Sequence, residues 1–503
     1  MKRHIVTQGA CFRNSANLES GSFSKTRQRN LRYNNQQKSF LWALLLAAML
    51  CASVTFGQAP DTSKPDFNLA LVGDSIIETP VSVHQNDPRF MAAVQAVRNG
   101  DAAFTNLELT FPGRNAYPAG KPRNSWISSD PATLKELQWF GFNLFAAANN
   151  HSLDYGIQGL LDTIQVLKQD NAVFAGIGEN LGEARAPGYL STANGRIALV
   201  ACASTFQDDE PAGAARSDLR GRPGLNPLRH ETRYLVNAAS LEALEKIKQD
   251  LKLGESEKGS EPPRSVDFSF PASSVYPIHV KFELSEKSGV LSTPDPADLA
   301  GLTHSIRDAK GMSDYVLASI HAHEGAPGPD SREVPPQFLI EFAHAAIDAG
   351  ADVVVGHGPH VLRGIEVYKG KVIFYSLGNF IFENWLVVPE PSEFYQDFGL
   401  GPDALPSELY DARSDYERRD EPANPLIWQS AIAHVRFRDG RPAEVILTPI
   451  TLGFGRKRPD RGYPQVADPA LVAEILSRLQ KLSQPFGTKI VVKDDVGIIE
   501  IEK

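Results

Sequence analysis

Five short apolar runs in this chain each end on side chains able to bind a metal ion. Asn68-Leu69-Ala70-Leu71-Val72-Gly73 delivers Asp74, and Ala102-Ala103-Phe104-Thr105-Asn106-Leu107 delivers Glu108. Asn143-Leu144-Phe145-Ala146-Ala147-Ala148 leads into Asn149-Asn150-His151. Asp314 to Ile320 leads into His321-Ala322-His323-Glu324, and Val353-Val354-Val355-Gly356 into His357-Gly358-Pro359-His360. Apolar runs of this length, bounded by turn residues, read as buried strands. Helical patterns lie between them. Asp87-Pro88 starts one, with Phe90, Val94 and Val97 as its stripe, and Asp130-Pro131 starts another, with Leu134, Leu137 and Trp139. Ile157, Leu160, Leu161, Ile164 and Leu167 mark a third, and Phe338, Phe342 and Ile347 a fourth. A cap residue, a proline in the first turn and an apolar stripe are the ordinary signature of such helices. The alternation predicts a layered α/β fold, in which sites form beyond the carboxyl ends of the strands.

Oxygen and nitrogen donors without sulfur suit a divalent transition metal. Gly358 and Pro359 fix a tight turn, so that His357 and His360 point into one space. Each residue also has a plain structural reading. His-x-x-His occurs in solvated loops, Asp74 suits a helix cap, Glu108 a surface charge, and Asn150 a turn. Those readings explain the residues singly; five strand ends of one chemical type point to a shared metal site. A central carboxylate is able to bridge two ions, and such a pair ionises a bound water and neutralises charge on a phosphoryl oxygen.

A chain of 503 residues exceeds what one core usually covers. With 42% hydrophobic and 22% charged residues it has the composition of a soluble globular protein. The net charge of −9 argues against a nucleic-acid partner. Residues 1–38 hold eight Lys or Arg and one acid, Glu19, and an apolar run from Phe40 to Phe56 follows. That pattern, with the small residue Ala59 beyond it, predicts a secretory signal or an uncleaved anchor. The body would then lie outside the cytoplasm, secreted, periplasmic or held to a membrane. Expected boundaries are 1–59 for the basic region and signal, 60–66 for a linker, and 67–382 for the main domain. Residues 205–310, where the strand–helix rhythm breaks, form an expected insertion, and 383–503 an extension that completes the domain.

Gly73-Asp74, Asn106-Leu107-Glu108, Asn149-Asn150-His151-x-x-Asp154-Tyr155-Gly156, Gly356-His357-x-Pro359-His360-Val361 and Ser376-Leu377-Gly378-Asn379-Phe380 occur in this order. In these motifs the chain resembles the poly-γ-glutamate capsule biosynthesis CapA family, over about Phe67 to Phe382 and more weakly to Lys503. That family is similar to the calcineurin-like metallophosphoesterases. The resemblance implies a four-layer α/β/β/α sandwich with insertions and two divalent ions of the Mn, Fe or Zn type. It implies Asp74 on one metal, Glu108 as the bridge, and Asn150, His321, His357 and His360 completing the set. His151 would act as general acid or oxyanion donor, oriented by Asp154. The chain departs from the phosphoesterase pattern at Ile76, where a histidine is usual, and at Glu108, where an aspartate is usual. It departs from the family's own pattern at His321-Ala322-His323, where His-Trp-Gly is usual; His323 is a candidate extra ligand or substrate contact. Arg222 and Arg229, in a segment that recurs in the family, are candidates for pairing with an anionic polymer.

Two functional classes follow. One is a metal-dependent hydrolase or transferase acting on a phosphoester or an envelope polymer, working beside other capsule-synthesis membrane proteins. The other is a non-catalytic factor that binds or anchors the polymer through a degenerate metal site.

Overall fold

The computed structural model describes residues 64–120, 125–253, 264–270, 278–329 and 331–501. At its centre is the strand Phe67–Ile76, buried over almost its whole length. Ala102–Leu107 pairs with it in parallel, and Asn379–Phe382 pairs in parallel at its carboxyl end. On the other edge Gln429–Arg438 pairs antiparallel. The sheet has ten strands and continues one way through Leu144–Ala146 and Val173–Ala175. It continues the other way through Arg441–Thr451, Val496–Glu500 and Val491–Lys493. Strands from the last quarter of the chain therefore stand directly beside its first strand.

A second sheet of six strands has the order Ile365–Tyr368, Lys371–Phe374, Val353–His357, Tyr315–His321, Gly195–Ala203, Gly188–Thr192. Its middle four strands are parallel. Val353 to Val355 are fully buried, as a β-branched run in a parallel sheet should be. One apolar cluster joins the facing sides of the two sheets, with Leu69, Leu71 and Phe104 from the first and Leu199, Leu317 and Val355 from the second. Truncating Leu317 to alanine there should cost about 2–5 kcal/mol.

A second cluster packs the other side of the first sheet against Phe90, Val94, Leu134, Leu137, Leu160 and Ile164 of the helices. A third packs the other side of the second sheet against Leu302, Ile306, Phe338 and Phe342. The first of these helices starts where the sequence places it: Asp87 caps Pro88–Arg98 by accepting from the Arg89 and Phe90 amides. Ile157 is exposed, so the helix Gly156–Gln169 turns Leu160, Thr163, Ile164 and Leu167 inward instead.

Within the stretch where the rhythm breaks, a separate four-stranded sheet forms from His230–Val236, Ser265–Phe270, Ile278–Leu284 and Gly289–Pro294. The helix Pro296–Met312, however, covers the second sheet and belongs to the main body.

The expectation of membrane anchoring requires correction. Among the described residues no helix is long and apolar enough to cross a membrane. The apolar run Phe40 to Phe56 lies outside the described residues.

Candidate metal centre

The carboxyl ends of strands from both sheets meet, and five of the expected ligands meet with them. Gly73 allows this approach: a Cβ there would lie 1.8 Å from the Gly378 carbonyl oxygen. The Asp74 amide donates to that same oxygen at 3.0 Å. Gly358, at φ +111, brings its backbone against His321, where a Cβ would stand 3.2 Å from the ring. His360 itself takes a left-handed conformation, φ 59, which turns its ring back toward Asp74.

Two groups of donors result. In the first, ligand atoms of Asp74, His321 and His357 lie within 4.8 Å of one another, all three residues buried. Asp74 is held tightly: Oδ1 accepts from Asn106 Nδ2 at 2.8 Å and Oδ2 from the Gly358 amide at 3.0 Å. His357 Nε2 contacts Ser319 Oγ at 2.7 Å, leaving Nδ1 3.6 Å from Asp74 Oδ1. In the second group, ligand atoms of Glu108, His323 and His360 lie within the same 4.8 Å limit. His360 Nδ1 pairs with Asn379 Oδ1 at 2.8 Å, and Asn379 is oriented by donating Nδ2 to the Ile427 carbonyl at 3.0 Å. That arrangement leaves His360 Nε2 facing Glu108 Oε1 at 3.7 Å.

His321 stands between the groups. Its Nδ1 is 3.8 Å from Asp74 Oδ1 and its Nε2 3.8 Å from Glu108 Oε1. Nδ1 also lies 3.0 Å from His357 Nδ1, and Nε2 3.0 Å from His323 Nε2. Imidazole nitrogens are brought this close where a shared proton or a cation joins them.

The electrostatics fit a cation. Both carboxylate oxygens of Glu108 are buried without a hydrogen-bond partner. Burial and the neighbouring Asp74 charge push its pKa well above the carboxylate range. Burial also raises that of Asp74, but contact with His360 and the charges of His360, His357 and His321 outweigh it and hold the group well down. Burial keeps His321 and His323 neutral far below the usual imidazole value and holds His357 down to about 4. Burial acts the same way on His360, yet Asp74 overcomes it and raises that imidazole. Three neutral imidazoles (His321, His323 and His357), an ionised aspartate and an orphaned glutamate are the donor set that a divalent ion of the borderline type takes.

The second group opens into a cleft of about 480 Å³, lined by His323, His360, Asn150, His151, Asp154 and Ile76 among others. His151 is 8% exposed, and its Nδ1 lies 2.6 Å from Asp154 Oδ2. Asp154 Oδ2 also accepts from the Ile127 amide at 2.7 Å, so the pair is fixed and His151 Nε2 is left for the cleft.

The structure differs from the sequence expectations at several residues. Glu108 falls with His323 and His360 yet also neighbours Asp74 and His321 of the first group, so it and His321 both stand between the two. Asn150 lies at the cleft beside the second donor group, its Oδ1 3.3 Å from His323 Nε2. His323, a candidate extra ligand or substrate contact, falls inside a donor group and also lines the cleft. Arg222 and Arg229 do not line the cleft. The Arg222 guanidinium donates to the Pro211 carbonyl, and Arg229 pairs with Asp298 at 2.8 Å.

Other contributors went unnoticed in sequence. Asn106 and Asn379 orient Asp74 and His360, Asn149 donates to the Leu107 carbonyl at 2.7 Å, and Arg332, Asn384, Arg413 and Glu421 line the cleft. Asn106 and Asn379 sit inside the very motifs quoted above. The strand Gly195–Ala203, which ends without a ligand, leads to Ser204 and Thr205, whose hydroxyls donate to Glu324 and so brace the loop after His321.

Fold and site together define an α/β protein with a buried histidine–carboxylate cluster beyond its strand ends. The chain belongs to the bacterial capsule synthesis protein family PGA_cap, whose sequence profile matches residues 68–384. This is a family of capsule and poly-glutamate synthesis accessory proteins. The chain is similar to the uncharacterized protein y4sH of Sinorhizobium fredii, 34% identical over 451 residues, 86% of this chain and 93% of that one. The capsule biosynthesis protein CapA of Bacillus anthracis is 26% identical over 374 residues, 71% of this chain and 70% of that one. The PGA biosynthesis protein CapA of Bacillus subtilis is 26% identical over 310 residues, 59% of this chain and 60% of that one.

Proposed function

We propose that this chain is a metal-dependent hydrolase or transferase in the making of a capsule or cell-envelope polymer. In this reading the two facing sheets and their outer helices form a metallophosphoesterase-like four-layer sandwich. The substrate is an anionic polymer of the poly-γ-glutamate type or a phosphoester. Glu108 is the observation that carries the reading: a fully buried carboxylate with both oxygens unpartnered beside three imidazoles is stable only with a cation or a proton. Asp74, His321, His357, Glu108, His323 and His360 would hold the metal. When bound, it would polarise an oxygen of the substrate and activate water at neutral pH. His151 then works on the substrate: Asp154 fixes its Nδ1, and Nε2 gives a proton to the leaving group or a hydrogen bond to a developing oxyanion.

The test compares three variants for metal content and for turnover of generic phosphoesters and polyglutamate. Glu108→Ala and His357→Ala should lose metal. His151→Ala should keep it and lose turnover by roughly 10²–10⁴-fold. An emptied site in His151→Ala would overturn the role given to His151. Full metal and full biological function in all three would replace catalysis by polymer binding.

A further inference from the structure

Arg363 follows His360 by three residues, and its side chain is fully buried. Burial lowers its pKa only to about 9, so the guanidinium is charged at neutral pH. Among the described residues it forms no ion pair, and its partners are three backbone carbonyls. Nε donates to the Arg332 carbonyl at 2.7 Å, Nη2 to that of Glu324 at 2.7 Å, and Nη1 reaches that of Ala322 at 3.5 Å. A charge taken out of water without a counter-charge is costly and persists only where its donors are met.

The carbonyls it meets are not scattered. Ala322 and Glu324 flank His323, so one guanidinium holds the chain on both sides of that imidazole. Thr205 Oγ1 accepts from the His323 amide between them, at 2.9 Å. Arg332 stands at the far end of the same loop and lines the cleft. The neck of that loop is narrow: the Ala326 amide donates to the Val334 carbonyl at 2.9 Å, and a Cβ on Gly325 would lie 1.7 Å from the Ser331 carbonyl oxygen. The arginine is itself anchored, its amide donating to the Ser376 carbonyl at 3.1 Å. Three residues on is Asn379, which pairs with His360. The guanidinium thus ties the loop of His323 to the backbone that carries and orients His360, and the two imidazole ring centres lie 5.2 Å apart. A planar fork of donors spans separated carbonyls in this way; an ammonium or a neutral amide does not.

We propose that Arg363 is a positioning residue for the second donor group, its guanidinium fixing the backbone around His323 and so setting that imidazole against Glu108 and His360. The inference rests on the metal-binding role proposed above and deepens it with a residue that acts only through His323. Contacts that orient a ligand in this manner change metal affinity without touching the ion.

The experiment is calorimetric titration of zinc into the metal-stripped full chain, in wild type, Arg363→Gln, His323→Ala and the double variant. Arg363→Gln should weaken zinc binding by about 10–100-fold. The same substitution made in His323→Ala should weaken it by less than about twofold more, because its route to the metal is already gone. An arginine that only stabilises the fold would weaken both backgrounds alike. Should Arg363→Gln fail to fold, Arg363→Lys carries the comparison: it keeps the charge and holds fewer carbonyls, so the loss should be smaller but again confined to chains that retain His323. Unchanged zinc affinity in the folded Arg363 variants overturns the proposal, and so does an equal loss with and without His323. A wild type that takes up no zinc overturns the proposed function together with this inference, whereas normal uptake that is indifferent to Arg363 overturns this inference alone.

Discussion

The two donor groups share one chemistry and differ in how they are held. Around Asp74, His321 and His357 the protein supplies its own partners: Asn106, the Gly358 amide and Ser319. None of these three ligands lines the cleft, and each is at most 1% exposed. Around Glu108, His323 and His360 the carboxylate has no partner, and both histidines border the cleft. A site that satisfies its own hydrogen bonds keeps its shape without an ion. A site built on an orphaned carboxylate depends on a cation or a proton for stability and is free to meet a substrate. In the proposed function the inner group is the rigid base, and the outer group the reactive face.

Breaking the inner group should have the largest effect. Asp74→Ala strands the Asn106 amide and the Gly358 N–H and leaves His360 without its counter-charge. The expected loss is about 3–5 kcal/mol, read as the denaturant midpoint of metal-stripped protein. A loss under about 1 kcal/mol would erase the distinction between the groups.

Acid sharpens the comparison next. His357 is held down to about 4, and so is His434, which is buried on the strand Gln429–Arg438. Both folded values lie below the unfolded one of about 6.5, so between these limits the unfolded chain binds the extra protons. Stability is fully present above about pH 6.5 and falls by about 1.4 kcal/mol per pH unit per group as pH drops toward 4. In metal-stripped protein His434→Gln should remove one such contribution and leave that of the inner group. A pH–stability profile unchanged by the substitution would show that His434 does not titrate in this window.

Glu108→Gln gives the smallest change but the most telling sign. In metal-stripped protein at neutral pH it should raise stability by about 1–3 kcal/mol, because the buried carboxyl must take up a proton on folding and the amide need not. In metal-loaded protein the sign should reverse. Thermal unfolding with and without chelator reads both arms, and destabilisation in both would mean that Glu108 is satisfied without a cation.

Much of this was legible in the sequence. Apolar runs ending at Asp74, Glu108, His321 and His357 are local patterns, and burial forces such runs into central strands. The Asp87 cap and the Gly358-Pro359 turn follow from the conformational freedom of single residues. Which donor faces which was decided only by the tertiary structure. The register that sets His321 opposite His357 brings an imidazole between the groups beside Glu108. His323 joins the second donor group with its backbone amide held by Thr205, far off in sequence, at 2.9 Å. Arg413 reached the cleft because a distant segment packs on Trp126 and Tyr155, while Arg222 and Arg229 found nearer acceptors. Strand and turn patterns repeat over a few residues and can be read along the chain. Pairing across sheets and loops depends on how whole faces pack, and no short stretch of sequence records that.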